Sequence, residues 1–143
     1  MRTPLLILIL AAPALAAPPP ACPAPVTASV RKAFPRATVH ACKAAREHGK
    51  DLFAVKLTRA GGGNVEVDVA PDGAILQIEE AIALDALPDA VKQAFAAKYP
   101  KGKPSAAEKQ TAGDVVSYEV AFAIDGRTRE STFAADGKFL DEE

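Results

Sequence analysis

Apolar and polar residues alternate through much of this chain. Phe53, Val55 and Leu57 interleave with Ala54, Lys56 and Thr58, and Val65, Val67 and Val69 interleave with Glu66 and Asp68. A period of two predicts strands with one buried face. Tyr118, Val120, Phe122 and Ile124 continue the pattern in the second half, and further strands are expected around Thr38–Lys43 and Lys103–Lys109. Gly61-Gly62-Gly63, Pro71-Asp72-Gly73, Asp125-Gly126 and Ala135-Asp136-Gly137 supply the turn chemistry between strands. Two stretches keep a helical spacing instead. Pro23 and Pro88 suit a first helical position, the apolar residues after them recur every four, and Phe34-Pro35 and Tyr99-Pro100 end the run. In the second stretch Val91, Ala94, Phe95 and Tyr99 form one stripe while Lys92, Gln93 and Lys98 face away, as in a helix lying on a sheet.

The two halves superpose in sequence. A shift of 65 residues sets Cys22-Pro23 on Leu87-Pro88, and Val26, Val30, Phe34 and Pro35 on Val91, Phe95, Tyr99 and Pro100. Beyond one deletion the shift is 64, and Glu66, Val69, Asp72, Gly73 and Leu76 fall on Glu130, Phe133, Asp136, Gly137 and Leu140. Self-similarity at a fixed period predicts repeated architecture. The expected fold is α+β: two tandem units, each a helix followed by an antiparallel four-stranded meander, with the helices packed on one sheet face. The units are residues 22–80 and 87–143, joined by a linker at 81–86.

Composition places the chain among globular proteins. It has 143 residues, 49% hydrophobic and 24% charged, and a net charge of -1, which excludes global disorder and the charge excess of a nucleic-acid binder. Arg2, the apolar run Leu5–Ala12 and the small residues of Ala14-Leu15-Ala16 read as a signal peptide over residues 1–16. That run is shorter than the roughly 20 residues that span a bilayer. A Pro/Ala-rich segment follows at 17–21, and nothing downstream resembles a membrane span, so a periplasmic or secreted destination is expected. In an oxidising compartment the two cysteines are most simply one disulfide, Cys22–Cys42. Closing a loop of that length is worth about 3 kcal/mol. Cys22 and Cys42 correspond to Leu87 and Ala107, so an apolar pair is expected where the second half lacks the staple.

The helix ending in aromatic-Pro, the aromatic-x-Val strand core and the closing Asp-Gly hairpin resemble the PepSY-like, beta-lactamase-inhibitor-protein-like family of small exported bacterial proteins. Leu87-Pro88, Tyr99-Pro100, Tyr118-Glu119-Val120, Asp125-Gly126 and Asp136-Gly137-Lys138-Phe139-Leu140 carry the resemblance most clearly. It implies tandem helix-plus-sheet units that present a sheet surface to a protein partner, and inhibition or modulation of a secreted enzyme. The implied partner is an envelope or secreted protein, and no inhibitory contact residue carries over.

Candidate chemistry is sparse. The only histidines are His40 and His48, without triad partners, and the matching positions in the second half are Ser105 and Gly113, so no catalytic residue is assigned. A metal site is the competing reading. His40 and Cys42 are two apart and would share a strand face, with His48 just beyond, but oxidation of Cys42 would remove its thiolate. No cofactor is implied. Uncovered sheet faces remain the expected functional surface, and the outward positions of the second half are Ser117, Glu119, Ala121 and Ala123 with the Arg127 and Arg129 turn. The sequence thus predicts a non-enzymatic protein-binding module, with a small-ligand or metal-ion binding protein of the envelope as the alternative.

Overall fold

A computed structural model describes residues 22–47 and 49–143. The expected signal peptide, the Pro/Ala-rich segment and His48 lie outside the described residues. The chain runs as helix α1 (Ala24–Ala33), strands β1 (Thr38–Glu47), β2 (Lys50–Thr58), β3 (Asn64–Val69) and β4 (Ile75–Ile82), and a short 3-10 turn (Leu84–Ala86). Helix α2 (Asp89–Lys98) and strands β5 (Lys103–Ala112), β6 (Val115–Ile124), β7 (Arg127–Ala134) and β8 (Phe139–Glu142) follow.

Both helices begin immediately after a proline. The Pro23 carbonyl accepts from the Thr27 amide at 2.9 Å and the Pro88 carbonyl from the Lys92 amide at 3.0 Å, so each proline caps its helix without spending a donor. Phe34 and Tyr99 leave helical geometry, as residues before proline tend to do, and end the helices.

The expected pair of tandem units, each with its own meander, is overturned. Among the described residues strand accounts for 54% and helix for 19%, and all eight strands form one antiparallel sheet in sequence order. The join is the pairing of β4 with β5, from Ile78 opposite Thr111 to Ile82 opposite Ala107. Two separate meanders would leave β4 and β5 as internal edges with unpaired amides and carbonyls. Pairing them satisfies those groups and removes both edges.

Both helices cover the same face of this sheet. Val26 and Val30 of α1 pack with Cys42, Val55, Leu57, Val65, Val67 and Val69, with Ile78 against that cluster. Val91, Phe95 and Tyr99 pack with Leu87, Ala107, Val120, Phe122 and Phe133, with Ile82 against them. Ile78 and Ile82 are four apart on β4 and therefore point to one side. Two hairpins hold the helices down. Gly73 approaches α1 so closely that a Cβ would lie 2.9 Å from the Pro25 carbonyl oxygen, and Gly137 approaches α2 to 2.6 Å from that of Ala90; both have positive φ.

The Cys22–Cys42 disulfide joins the start of α1 to β1 across a Cα separation of 5.7 Å. Leu87 and Ala107, the corresponding pair, are both buried in the second cluster.

Candidate binding face

Register defines what lies on the side away from the helices. Lys56 on β2 stands opposite Glu66 on β3, Glu66 opposite Glu79 on β4, Glu79 opposite Gln110 on β5, and Gln110 opposite Ser117 on β6. A second row passes from Ala81 through Glu108 and Glu119 to Thr132 and Asp141. Flanking positions add Lys43, Ala54, Asp68 and Gln77 at one end, and Ala106, Ala121 and Glu130 at the other. No helix among the described residues covers these rows, and carboxylates outnumber ammonium groups along them.

The carboxylates are crowded and partly withdrawn from water. Burial is the main cause that raises Glu119 from 4.5 to about 7, with Glu130, Glu108, Glu79 and Glu143 adding repulsion. Burial likewise raises Asp68 from 3.8 to about 6, helped by Glu47 and Glu66. Glu79 and Glu108 are also displaced upward, burial again leading. Few cations oppose this. The Lys56 ammonium lies 3.0 Å from the Glu66 carboxylate, which holds the lysine above its usual range. Side-chain amides supply the remaining donors: Gln77 donates to Glu79 at 2.7 Å, Gln110 to Glu119 at 3.1 Å, and Ser117 to Gln110 at 3.2 Å. A shallow groove of about 340 Å³ opens among His40, Lys56, Glu66, Glu79, Ala81 and Glu108.

The six residues expected to form the partner surface divide between two faces. Ser117, Glu119, Ala121 and Ala123 alternate with buried Val120 and Phe122 and lie on the uncovered side. Arg127 and Arg129 do not join them. The Asp125-Gly126 turn pairs Ile124 with Arg127 and Phe122 with Arg129, and residues directly opposite share a face, so both arginines point to the helix side. There Arg129 pairs with Glu142 at 2.5 Å, and Glu142 also accepts from the Tyr99 hydroxyl, which lies 3.1 Å from Ser131 Oγ.

His40 and Cys42 part in the same manner. A bulge between Val39 and Ala41 inserts one residue, leaving His40 in the acidic groove, 2.7 Å from Thr58 Oγ1, while Cys42 enters the core. Among the described residues no group of three or more His, Cys, Asp or Glu is placed to hold a metal ion, and both cysteines are in the disulfide. Lys56, Glu66, Asp68, Glu108 and Glu130 were not singled out as site residues from sequence. Their signal was the polar half of each period-two strand.

Solved structures share this architecture. The chain aligns with a candidate periplasmic protein of Bacteroides eggerthii at a TM-score of 0.70 and 17% identity, covering 86% of this chain and 88% of that one. A DUF2874 family protein of Bacteroides uniformis aligns at 0.68 and 17% identity, over 85% and 88%. A BLIP-like protein of Bacteroides fragilis aligns at 0.64 and 20% identity, over 90% and 87%. The fold is BLIP-like. No protein-family model matches the chain, and no curated protein matches it. Identities this low establish the fold alone, and the BLIP-like likeness does not extend to PepSY proteins specifically or to a division into two tandem units. No helix among the described residues is long and apolar enough to cross a membrane.

Proposed function

We propose that this chain is an exported, non-enzymatic binding module that grips a cationic surface of an envelope or secreted enzyme, such as a peptidase, and inhibits or modulates it. The observation that carries this reading is the uncovered acidic face centred on Glu66, Glu79, Glu108 and Glu119, where burial first, and repulsion from neighbouring carboxylates second, holds Glu79, Glu108 and Glu119 above their usual range. Such crowding costs stability in the free protein and is relieved when a cationic partner arrives. The BLIP-like fold and the candidate periplasmic neighbour support the same reading. The open, wet surface favours binding over catalysis, because acid–base chemistry needs a positioned substrate in a site that excludes water. A PepSY-type relationship and cleavage after residue 16 belong to this proposal and rest on the sequence motifs.

The test is affinity capture from the envelope fraction with the oxidised protein, followed by activity assays on the captured enzyme. The expected result is altered enzyme activity that weakens with salt and is abolished by the combined Glu79→Gln, Glu108→Gln and Glu119→Gln variant. Equal binding by the neutralised variant, or unchanged enzyme activity on binding, would overturn the proposal.

A further inference from the structure

At the end of the uncovered face beside the β1–β2 hairpin, one carboxylate stands apart. Asp68 is only 8% exposed, yet its side chain makes no hydrogen bond or ion pair among the described residues. No fully enclosed side-chain oxygen among those residues lacks a partner, so the Asp68 oxygens must reach solvent. They do so through a groove of about 330 Å³ lined by Glu47, Lys50, Leu52, Asp68, Leu76 and Gln77. Leu52 is 4% exposed but belongs to neither helix-side cluster, so it gives this groove an apolar wall of its own.

A carboxylate that reaches solvent only through a groove, with no donor to it among the described residues, is incompletely hydrated and is stabilised when something positive meets it. Glu47 and Lys43 on β1, Lys50 on β2, Glu66 on the same strand and Glu79 on β4 are the charged groups that face Asp68; its nearest β4 neighbour, Gln77, is neutral. Neither lysine pairs with it among the described residues. A divalent ion would require more oxygen ligands than Asp68 and Glu47 provide, consistent with the lack of a metal-holding cluster among those residues. Leu52 and Leu76 beside two carboxylates instead match an aliphatic stem that ends in a cation.

We propose that the Asp68 groove receives a lysine or arginine side chain of the partner bound on the acidic face, its stem against Leu52 and Leu76 and its charged head on Asp68. This rests on the binding-module reading and makes it more specific: the partner projects a basic side chain at this end of its contact. Asp68 then acts as the anchor, and the wider acidic face steers the approach.

The experiment follows the Asp68 carboxyl carbon by NMR through a pH titration of the oxidised, aspartate-labelled protein. The probes are millimolar acetyl-Leu-Lys-Leu-amide, the same peptide with norleucine for lysine, and calcium chloride. The lysine peptide is expected to lower the Asp68 midpoint by about one pH unit or more, and the norleucine peptide to leave it in place. Asp68→Asn is expected to weaken the lysine peptide at least about tenfold, whereas Glu119→Gln changes it less than about twofold. Equal binding of the norleucine peptide, a midpoint moved by calcium but not by the lysine peptide, or a midpoint moved by none of the probes would each overturn the assignment. Failure here is distinguishable from failure of the broader reading. If Asp68→Asn captures and modulates the enzyme like the wild type while the combined glutamine variant does not, the anchor is refuted and the binding module stands; if neither variant matters, both are refuted.

Discussion

Replacing Glu119 by glutamine should make the free protein more stable, and only at the pH where Glu119 is charged. In the folded chain this carboxyl titrates near 7 instead of 4.5, because it is half-buried on β6 and faces Glu130, Glu108 and Glu79. Between those two values the folded protein keeps a proton that the unfolded chain releases. Stability therefore falls as pH rises through that window and stays low above it. The difference of the two values corresponds to at most about 3 kcal/mol, and solvent screening on the open face reduces this to about 1–2 kcal/mol. Glutamine keeps the shape and can still accept from Gln110. Thermal unfolding by calorimetry at low salt should show Glu119→Gln melting about 5 °C above the wild type at pH 8. The gap should narrow as pH falls from 7 towards 4.5 and close below about pH 4, where the wild-type carboxyl is protonated in both states. A gap of constant size across pH, or a less stable variant at pH 8, would show that this carboxylate is not strained by its neighbours.

Three further outcomes test the architecture. Reducing the Cys22–Cys42 disulfide, which spans 20 residues, should lower stability by about 3 kcal/mol in a denaturant titration while leaving the Glu119 midpoint unchanged, since the bridge lies on the helix side. Gly137→Ala should destabilise by more than about 2 kcal/mol, because positive φ combines with a Cβ placed 2.6 Å from the Ala90 carbonyl oxygen; Gly126→Ala, with positive φ but open space around it, should lose only about 1 kcal/mol, and urea midpoints would compare the two. Arg129→Ala should change partner capture by less than about twofold, measured by titration calorimetry with the captured enzyme, because its side chain points to the helix face.

The strands were legible because one face of each is buried. Val55 and Leu57, Val65 to Val69, and Val120 and Phe122 carry a period-two pattern that a helix cannot satisfy, and the aromatic-Pro pairs mark where the helices stop. Lateral arrangement was another matter. Nothing in the chain from Ala81 to Ala86 states that Glu79 will meet Gln110, because that pairing is decided by the need of two internal edges for partners rather than by any local pattern. Single-residue shifts account for the two misplaced groupings. The two-residue hairpin at Asp125-Gly126 sends Arg127 and Arg129 to the helix side, and the bulge at His40 separates it from Cys42. Side-chain period is two, so one residue inverts a face. The acidic residues of the site were visible as outward positions, but their collection into one surface depends on the β4–β5 join.

That join also explains why the surface differs from an ordinary solvated sheet. On either meander alone, Glu66 and Glu79 would sit near an edge, and Glu108 and Glu119 near another, each with water on one flank. Joined, the four lie on β3 to β6 in the middle of an eight-stranded sheet, where neighbouring strands limit hydration and bring like charges together. A sheet selected for stability alone would set lysines opposite these carboxylates, since like charges on facing positions are destabilising and opposite charges are not. Here Lys56 is paired to Glu66, while neutral Gln110, which donates to Glu119, stands opposite Glu79 and neutral Thr132 stands opposite Glu119, leaving the negative field intact. The helix side shows the opposite choice, with Arg129 set against Glu142 and Arg59 against Glu80. Charge is balanced where the protein meets its own helices and left unbalanced where it meets solvent. The asymmetry is why the proposed function gives this face a cationic partner, which would supply the charges that the sheet itself leaves out.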